Sequence, residues 1–457
     1  MTAEQARLVV VSNRVAFPGE TATGGLAAAM RAALNERGGL WFGWSGRISE
    51  CRTPRRHREG PVEYVTIDLA RQHYDDYYAG FANRALWPLF HYRPDLVDYS
   101  RRQLDSYVRV NALFADELTG LIRPDDVVWV HDYHLIPLAS LLRERGATNR
   151  IGFFLHVPLP VGELLSMLPR HRQLLDTLAS YDLVGVQTAR DLRALENYVL
   201  HEAGGDVLPG GYLRSSDRRA FRAGAFPISI DTAQVAQTAR AADTQPEVRR
   251  LRHSLDGRAL VIGVDRLDYS KGLPQRFEAY AHFLEHTPGQ HHKVSFLQIA
   301  PSSRSEVPEY REIRDELERL AGHINGLHAT PDWTPLRYVN QSFPHEVLTG
   351  YYRSARVGLV TPLRDGMNLV AKEYVASQDP ADPGVLVLSR FAGAAAELPG
   401  AILVNPLDTL EVAEALEHAL AIPLAERRQR WRAMMDVLER DDLTAWRSRF
   451  LRSLDSA

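Results

Sequence analysis

The run Arg364-Asp365-Gly366-Met367-Asn368-Leu369-Val370-Ala371-Lys372-Glu373 joins a glycine, a helix start and two carboxylates eight residues apart. The apolar stretch 357–362 before it reads as a buried strand, and 368–377 reads as a helix. A strand that breaks at a glycine and feeds a helix N-terminus leaves backbone N–H groups aimed outward, a favourable place for a phosphate. Carboxylates would repel a diphosphate, so Asp365 and Glu373 are expected to accept hydrogen bonds from sugar hydroxyls, Asp365 on a hexose and Glu373 on a ribose. The combination suggests a nucleotide-sugar site. The plainer alternative is a capped helix with a solvated Glu373, since short motifs match by chance.

A second loop, Val264-Asp265-Arg266-Leu267-Asp268-Tyr269-Ser270-Lys271-Gly272-Leu273-Pro274, follows a strand and precedes a helix whose first turn suits Pro274. Arg266 and Lys271 could neutralise a departing diphosphate; alternatively they pair with Asp265 and Asp268. In the first half, Leu8-Val9-Val10-Val11-Ser12-Asn13-Arg14 ends a strand in an arginine able to clamp a phosphate bidentately, and Gly24-Gly25 would let a ligand approach the backbone. Trp129-Val130-His131-Asp132-Tyr133-His134 and Phe153-Phe154-Leu155-His156 also end strands. His131 and His134 lack a third ligand for a metal, whereas Asp132 is a plausible hydroxyl acceptor, and His156 is either functional or a buried structural histidine. Tyr77-Tyr78, Trp87 and Arg304 complete the set: aromatic rings pack on sugar C–H faces, though they more often serve a core. Among competing motifs there is no Gly-Lys dipeptide and so no P-loop. Gly43-Trp44-Ser45-Gly46 is one residue too short for a nucleophile elbow, and no Gly-x-Gly-x-x-Gly turn follows a strand.

The elements that must position these residues are short apolar runs separated by helix-length amphipathic segments. The runs are 8–12, 127–131, 151–156 and 183–188, then 259–264, 294–300, 357–362, 384–389 and 401–405. Strands apolar throughout that alternate with helices predict parallel sheets covered on both faces. This many strands over 457 residues predicts two doubly wound domains rather than one sheet, with ligands at the carboxyl ends of strands and a cleft between domains as the default site. The junction falls in the polar stretch 231–247. The basic cluster 52–58 reads as a solvated loop, and 426–432 as one polar helix face. Trp446, Phe450 and Leu454 recur at helical spacing and should pack on a domain surface. With 54 Lys and Arg against 57 Asp and Glu, the net charge of −3 predicts neither a nucleic-acid nor a membrane partner. No run approaches the roughly 18 apolar residues that span a bilayer. The lone Cys51 excludes an internal disulfide and fits a reducing cytoplasm, and the short polar start predicts no signal peptide.

Taken together, Ser12-Asn13-Arg14, Gly24-Gly25-Leu26, Trp41 through Gly46, His131 through His134, Arg266 through Gly272 and Arg364 through Glu373 closely resemble the trehalose-6-phosphate synthase family, the retaining glycosyltransferases of family 20. The likeness runs from about residue 8 to about 454. It implies an α/β chain of two Rossmann-like domains facing each other across a cleft, the GT-B fold. The acceptor domain would span 1–235 and the nucleotide-sugar domain 236–439, with a C-terminal helix at about 440–457 packing back on the first. The implied reaction moves glucose from a nucleotide-glucose, UDP-glucose foremost, to glucose 6-phosphate, giving α,α-trehalose 6-phosphate. No metal or other cofactor is expected. Carried over by position, Arg14, Tyr78, Trp87 and Arg304 hold the acceptor phosphate, and Asp132 contacts the acceptor sugar. Gly24 and Gly25 line the donor site by backbone. Arg266 and Lys271 bind the donor diphosphate, and Phe343 with Gly366, Met367, Asn368, Leu369, Val370 and Glu373 holds base, ribose and phosphates. Asp365 and His156 contact the transferred glucose; with Arg266, Lys271 and Asp132 they form the implied catalytic set. The implied partners are these small molecules, with room for a homo-oligomer and for coupling to a phosphatase that acts on the product. The rival readings are a catalytically silent sensor of sugar nucleotides or sugar phosphates, and a transferase with a different phosphorylated acceptor.

Overall fold

The computed structural model describes residues 6–17, 25–51, 53–302 and 308–457. The chain divides into two compact units, Met1–Pro227 with Trp446–Ala457, and Ile228–Ala445.

In the first unit, the described residues form a sheet in the order β3-β4-β2-β1-β5-β6-β7-β10-β9-β8. Its strands are β1 (Leu8–Arg14), β2 (Gly39–Ile48), β3 (Arg55–Glu59), β4 (Val62–Leu69), β5 (Val127–His131), β6 (Arg150–Phe154), β7 (Leu183–Val186), β8 (Asp206–Leu208), β9 (Tyr212–Arg214) and β10 (Ala220–Ala225). From β4 through β10 neighbouring strands run parallel. Antiparallel β3 closes one edge, and β9 with β8 the other. The inner strands are apolar along their length because helices cover both faces; β1 is buried from Leu8 to Asn13 and surfaces only at Arg14. The basic cluster is not a loop: Arg55–Glu59 pairs with β4 as a fully exposed edge strand, and its charges guard that edge against further pairing. β2 and β4 escape a periodicity search because Gly39, Gly43, Gly46 and polar residues interrupt their apolar character.

The helix Leu443–Asp455 belongs to this unit from Trp446 onward. Trp446, Phe450 and Leu454 are fully buried, and Phe450 stacks on Trp129 of β5 with ring centroids 4.6 Å apart. Gly152 and Gly185 make room for it: a Cβ on either would come within 3 Å of Phe450 ring carbons.

The second unit holds a wholly parallel sheet, β13-β12-β11-β14-β15-β16. Its strands are β11 (Ala259–Val264), β12 (Val294–Ile299), β13 (Leu336–Val339), β14 (Val357–Val360), β15 (Val385–Ser389) and β16 (Ile402–Val404). Rather than beginning near residue 236, this unit begins at Ile228, because the segment is held from within it. Lys372 Nζ donates to Ile228 O at 2.8 Å, and Leu443 N donates to Ile230 O at 2.9 Å. The 426–432 stretch lies in the helix Leu424–Arg440 but is not uniformly polar-faced, since Arg427 is buried with its guanidinium 2.7 Å from Asp382.

In both sheets the chain order reverses around a central strand. β1 lies between β2 and β5, and β11 between β12 and β14. A crevice opens at such a reversal, outside the carboxyl ends of the strands, and ligands bind there. Ser12-Asn13-Arg14 ends β1 and His131 ends β5, with Asp132 next in the chain; Asp265-Arg266 and the segment before Arg364 follow β11 and β14.

Candidate active site

In the second unit, the loops that follow β11 and β14 are stitched together. Arg276, 1% exposed, is the hub. Its Nη1 donates to Asp265 Oδ2 at 2.8 Å and to Gln298 Oε1 at 2.9 Å, and its Nε to Thr361 Oγ1 at 2.9 Å. One guanidinium thus ties the carboxyl ends of β11, β12 and β14. Burial pushes the Asp265 carboxyl up, opposed by Arg276 and Lys271. Sequence reading passed over Arg276. Its signal was a cation on the buried stripe Leu273, Phe277, Tyr280 of the helix Leu273–His286, where only a paired charge is tolerated. Arg276→Leu is expected to cost about 3–5 kcal/mol of stability by orphaning Asp265. Thermal unfolding followed by circular dichroism checks this, and an unchanged midpoint would remove Arg276 as the hub.

With Asp265 taken by Arg276, and Asp268 accepting from Ser270 N at 2.9 Å and Tyr310 OH at 3.0 Å, Lys271 is left for a different partner. Its Nζ lies 2.5 Å from Asp365 Oδ2, with both side chains mostly buried. Asn368 Nδ2 donates to the same oxygen at 3.1 Å. Arg266 is exposed. Gly272, at φ +63°, turns the loop where a Cβ would stand 2.7 Å from Thr361 O. Leu363 N donates to Ser270 O at 2.8 Å, so the two loops move as one piece.

The helix after β14 spans Leu369–Ser377, with Asn368 as its N-cap at φ +74° and its Oδ1 accepting from Ala371 N at 3.2 Å. Asp365 and Met367 are held by backbone bonds to Gly393 N and Ala394 N, and Gly393 has no room for a Cβ against Gly366 O. Lys372, 1% exposed, bonds Glu397 Oε2 at 2.7 Å and anchors the helix from below. The first-turn amides of the helix, those of Leu369 and Val370, lie beyond the reach of intrahelical acceptors. Glu373 sits in a recess 3.9 Å from His345 Nε2, and burial pushes its carboxyl up to about 7. Phe343, half-buried, packs edge-on to Tyr351 at 5.5 Å.

In the first unit, the end of β1 is braced by Trp41 Nε1, which donates to Ser12 Oγ at 2.8 Å; Ser12 Oγ in turn donates to Arg14 O at 2.9 Å. Arg14 is exposed, and its guanidinium lies over Gly46 of β2, where an added Cβ would stand 2.9 Å from Nε. Of the tyrosine pair, Tyr77 is wholly buried and donates to Asn13 Oδ1 at 2.7 Å. Tyr78 is half-exposed and stacks on His134 at 5.9 Å and 14°. Trp87 is 6% exposed and packs on His91 and Tyr133.

Asp132 follows β5 at φ +77° and ψ 166°, a conformation that a residue with a Cβ adopts only under strain. Asp132 N donates to Phe154 O at 2.8 Å, and Asp132 Oδ1 accepts from His156 N at 3.1 Å. His131 Nδ1 and His156 Nε2 lie 3.1 Å apart. Burial lowers the pKa of both, His156 to about 3, so the pair is neutral at physiological pH and shares one proton between the two nitrogens. Gly25 opens the helix Gly25–Arg37; Gly24 and Arg304 lie outside the described residues.

The model of glycosyltransferase family 20 matches residues 3–456. A trehalose-6-phosphate synthase from Sinorhizobium fredii is 50% identical over 99% of this chain and 98% of its own. Among solved structures, an α,α-trehalose-phosphate synthase (UDP-forming) from Burkholderia xenovorans in complex with glucose-6-phosphate is 51% identical, with a TM-score of 0.96 over 98% of this chain and 100% of that one. An E. coli protein bound with UDP-2-fluoro glucose is 47% identical, with a TM-score of 0.95 over 99% of each chain.

Proposed function

The chain belongs to glycosyltransferase family 20, and on that footing we propose that it transfers glucose from UDP-glucose to glucose 6-phosphate, forming α,α-trehalose 6-phosphate and UDP. Its fold is the GT-B fold of those enzymes, built from two Rossmann-like units. The observation that carries the reading is the grouping of Lys271, Asp365 and the Asn368-capped helix start at the carboxyl ends of β11 and β14. It supplies a cation, a helix N-terminus for phosphate and a carboxylate for a sugar hydroxyl. In the first unit, Arg14, Tyr78 and Asp132 supply a phosphate clamp, an aromatic face and a hydroxyl acceptor at the corresponding reversal of β1 and β5. The silent-sensor reading has no observation in its favour, because the residues that serve the departing diphosphate are intact.

The chemistry follows from charge. As the bond from the glucose anomeric carbon to the diphosphate breaks, the sugar becomes oxocarbenium-like and the leaving oxygen gains negative charge. Lys271, Arg266 and the first-turn amides near Leu369 stabilise that charge. The acceptor hydroxyl attacks from the same face and gives its proton to the leaving phosphate oxygen, so the configuration is retained without a covalent sugar–enzyme bond. A double displacement would need a carboxylate nucleophile on the opposite face. The neutral His156 holds a glucose hydroxyl rather than transferring a proton from a charged ring. The protein contributes orientation and electrostatics.

The test is direct. Purified enzyme, UDP-glucose and glucose 6-phosphate are mixed with excess chelator and the product is read by NMR. A phosphorylated disaccharide with both anomeric protons in the α range is expected, at the same rate as without chelator. Donor consumption that requires an added divalent ion would overturn the metal-free mechanism. Absence of the disaccharide would overturn the acceptor assignment.

Glu373 makes donor affinity depend on pH. With its carboxyl near 7 in the free protein, ribose hydroxyls that donate to it favour the charged form and expel the proton. Affinity for UDP-glucose is therefore expected to rise as pH increases from 6 to 8, approaching a plateau above the free-protein value. UDP-glucose is a diphosphate diester with no titration of its own in this window. Calorimetry in buffers of different ionisation enthalpy measures the released proton, and Glu373→Gln is expected to abolish both effects. The product is a phosphomonoester, so a phosphatase is the reaction class that consumes it. The exposed free thiol of Cys51 accords with a reducing cytoplasm.

A further inference from the structure

The helix Leu273–His286 begins beside Lys271, and its far end carries a cluster that the transfer reaction does not use. His282, Glu285 and His286 follow one another at i, i+3 and i+4, and one donor atom of each lies within 4.8 Å of the other two. Spacing of this kind occurs on helix surfaces without an ion, so the argument rests on how the imidazoles are held. His286 Nδ1 lies 2.8 Å from His282 O. A carbonyl only accepts, so Nδ1 carries the proton and Nε2 keeps a lone pair facing away from the helix. A ring nitrogen donating to a backbone carbonyl is the arrangement that orients histidines for metal ligation. His282 Nδ1 is buried with no hydrogen-bond partner among the described residues, and Glu285 Oε2 stands 3.6 Å from it. A buried polar atom left this way calls for a missing partner.

The surroundings extend the pattern. His291 Nε2 donates to Leu284 O at 2.9 Å, fixing a second ring by the same device. His328, the last residue of the helix Pro308–His328, has a buried Nε2 without a partner among the described residues. Its ring meets that of His291 edge-on, with centroids 5.5 Å apart.

We propose that His282, Glu285 and His286 bind a divalent transition-metal ion of the zinc class. Two imidazoles and one carboxylate match the ligand preference of zinc and cobalt rather than of magnesium or calcium. Ligand atoms on one tetrahedral ion stand about 3.4 Å apart at zinc distances, so rotations of these partly exposed side chains suffice to close the site. With 14 residues in the helix, the ion would sit roughly 20 Å along it from Lys271. It would cross-brace the C-terminal turns of the helix and take no part in glucose transfer.

The experiment uses the untagged, full-length protein, stripped with chelator and dialysed. Zinc is titrated against a chromophoric competitor, and cobalt is followed by its visible absorption. One ion per chain with micromolar affinity is expected, with a cobalt band of tetrahedral intensity and a higher unfolding midpoint in the presence of zinc. His282→Ala and His286→Ala are each expected to weaken binding by about 30-fold or more, with glucose transfer unchanged. Cys51→Ser is expected to bind as the parent does. Absence of one-to-one binding, undiminished binding in the double histidine variant, or loss of binding in Cys51→Ser would each overturn the proposal. Because these readouts are independent of disaccharide synthesis, their failure leaves the proposed function standing, and the reverse holds too.

Discussion

Lys271→Ala is expected to lower kcat for trehalose 6-phosphate synthesis by about 10³-fold while leaving the protein folded. The effect is large because Lys271 is a cation recessed beside the leaving group, in surroundings where charge is poorly screened. Its Nζ already stands 2.5 Å from Asp365, so it is positioned before the donor arrives and needs little reorganisation when the diphosphate takes over as its partner. The loss should fall on turnover more than on donor affinity, since the leaving oxygen gains its charge only as the bond breaks. Two controls separate chemistry from structure. The thermal midpoint should fall less than in Arg276→Leu, because Lys271 and Asp365 keep some contact with water whereas Arg276 and Asp265 have almost none. Asp365→Asn, which removes the ligand-free partner but keeps the lysine, should retain more of the leaving-group stabilisation than Lys271→Ala. Near-normal turnover of Lys271→Ala would reduce the lysine to a partner that holds Asp365.

Arg14→Ala is expected to raise the KM for glucose 6-phosphate by about 100-fold, with UDP-glucose affinity by calorimetry unchanged. A bidentate charge-assisted contact with a phosphate is worth about 3 kcal/mol, which corresponds to that factor. Gly46 allows the same idea to be tested without touching the arginine. At φ +84°, with space above it occupied by the Arg14 guanidinium, Gly46→Val should push the arginine aside and reproduce the acceptor defect. Added inorganic phosphate should compete with glucose 6-phosphate in the parent and much less in either variant. If UDP-glucose affinity collapses instead, Arg14 belongs to the donor site and the assignment of the two subsites is wrong.

Much of the frame was legible because parallel strands buried on both faces are apolar from end to end, and runs such as Leu8-Val9-Val10-Val11 announce themselves. The edge strands were not legible. Arg55–Glu59 has no apolar residue, since an exposed edge is stabilised by backbone pairing and guarded by charge. The short strand Leu336–Val339 was too brief to register. In the site, motif residues such as Lys271, Asp365 and Arg14 could be nominated from residue type and position after a strand. Their partners could not. Asp265 and Asp268 are nearer in sequence to Lys271, yet Arg276 and Tyr310 engage them and leave Lys271 to Asp365, 94 residues away. Local spacing measures distance along the chain, whereas ion pairing is decided by which strand ends the sheet brings together.

The amino-acid sequence by itself determined the class of fold, the family resemblance and which loops carry the chemistry, because these depend on local pattern: apolar runs, glycine turns and helix starts. Only the tertiary structure decided which of two adjacent tyrosines faces outward, which arginine is a buried hub, and why a glycine in β2 serves an arginine in β1. It also decided that Glu373 titrates near 7 and that His131 and His156 stand neutral against each other. The physical reason is common to all of these. Burial, desolvation and pairing are properties of a residue's neighbours in space, and those neighbours come from strands and loops far apart in the chain.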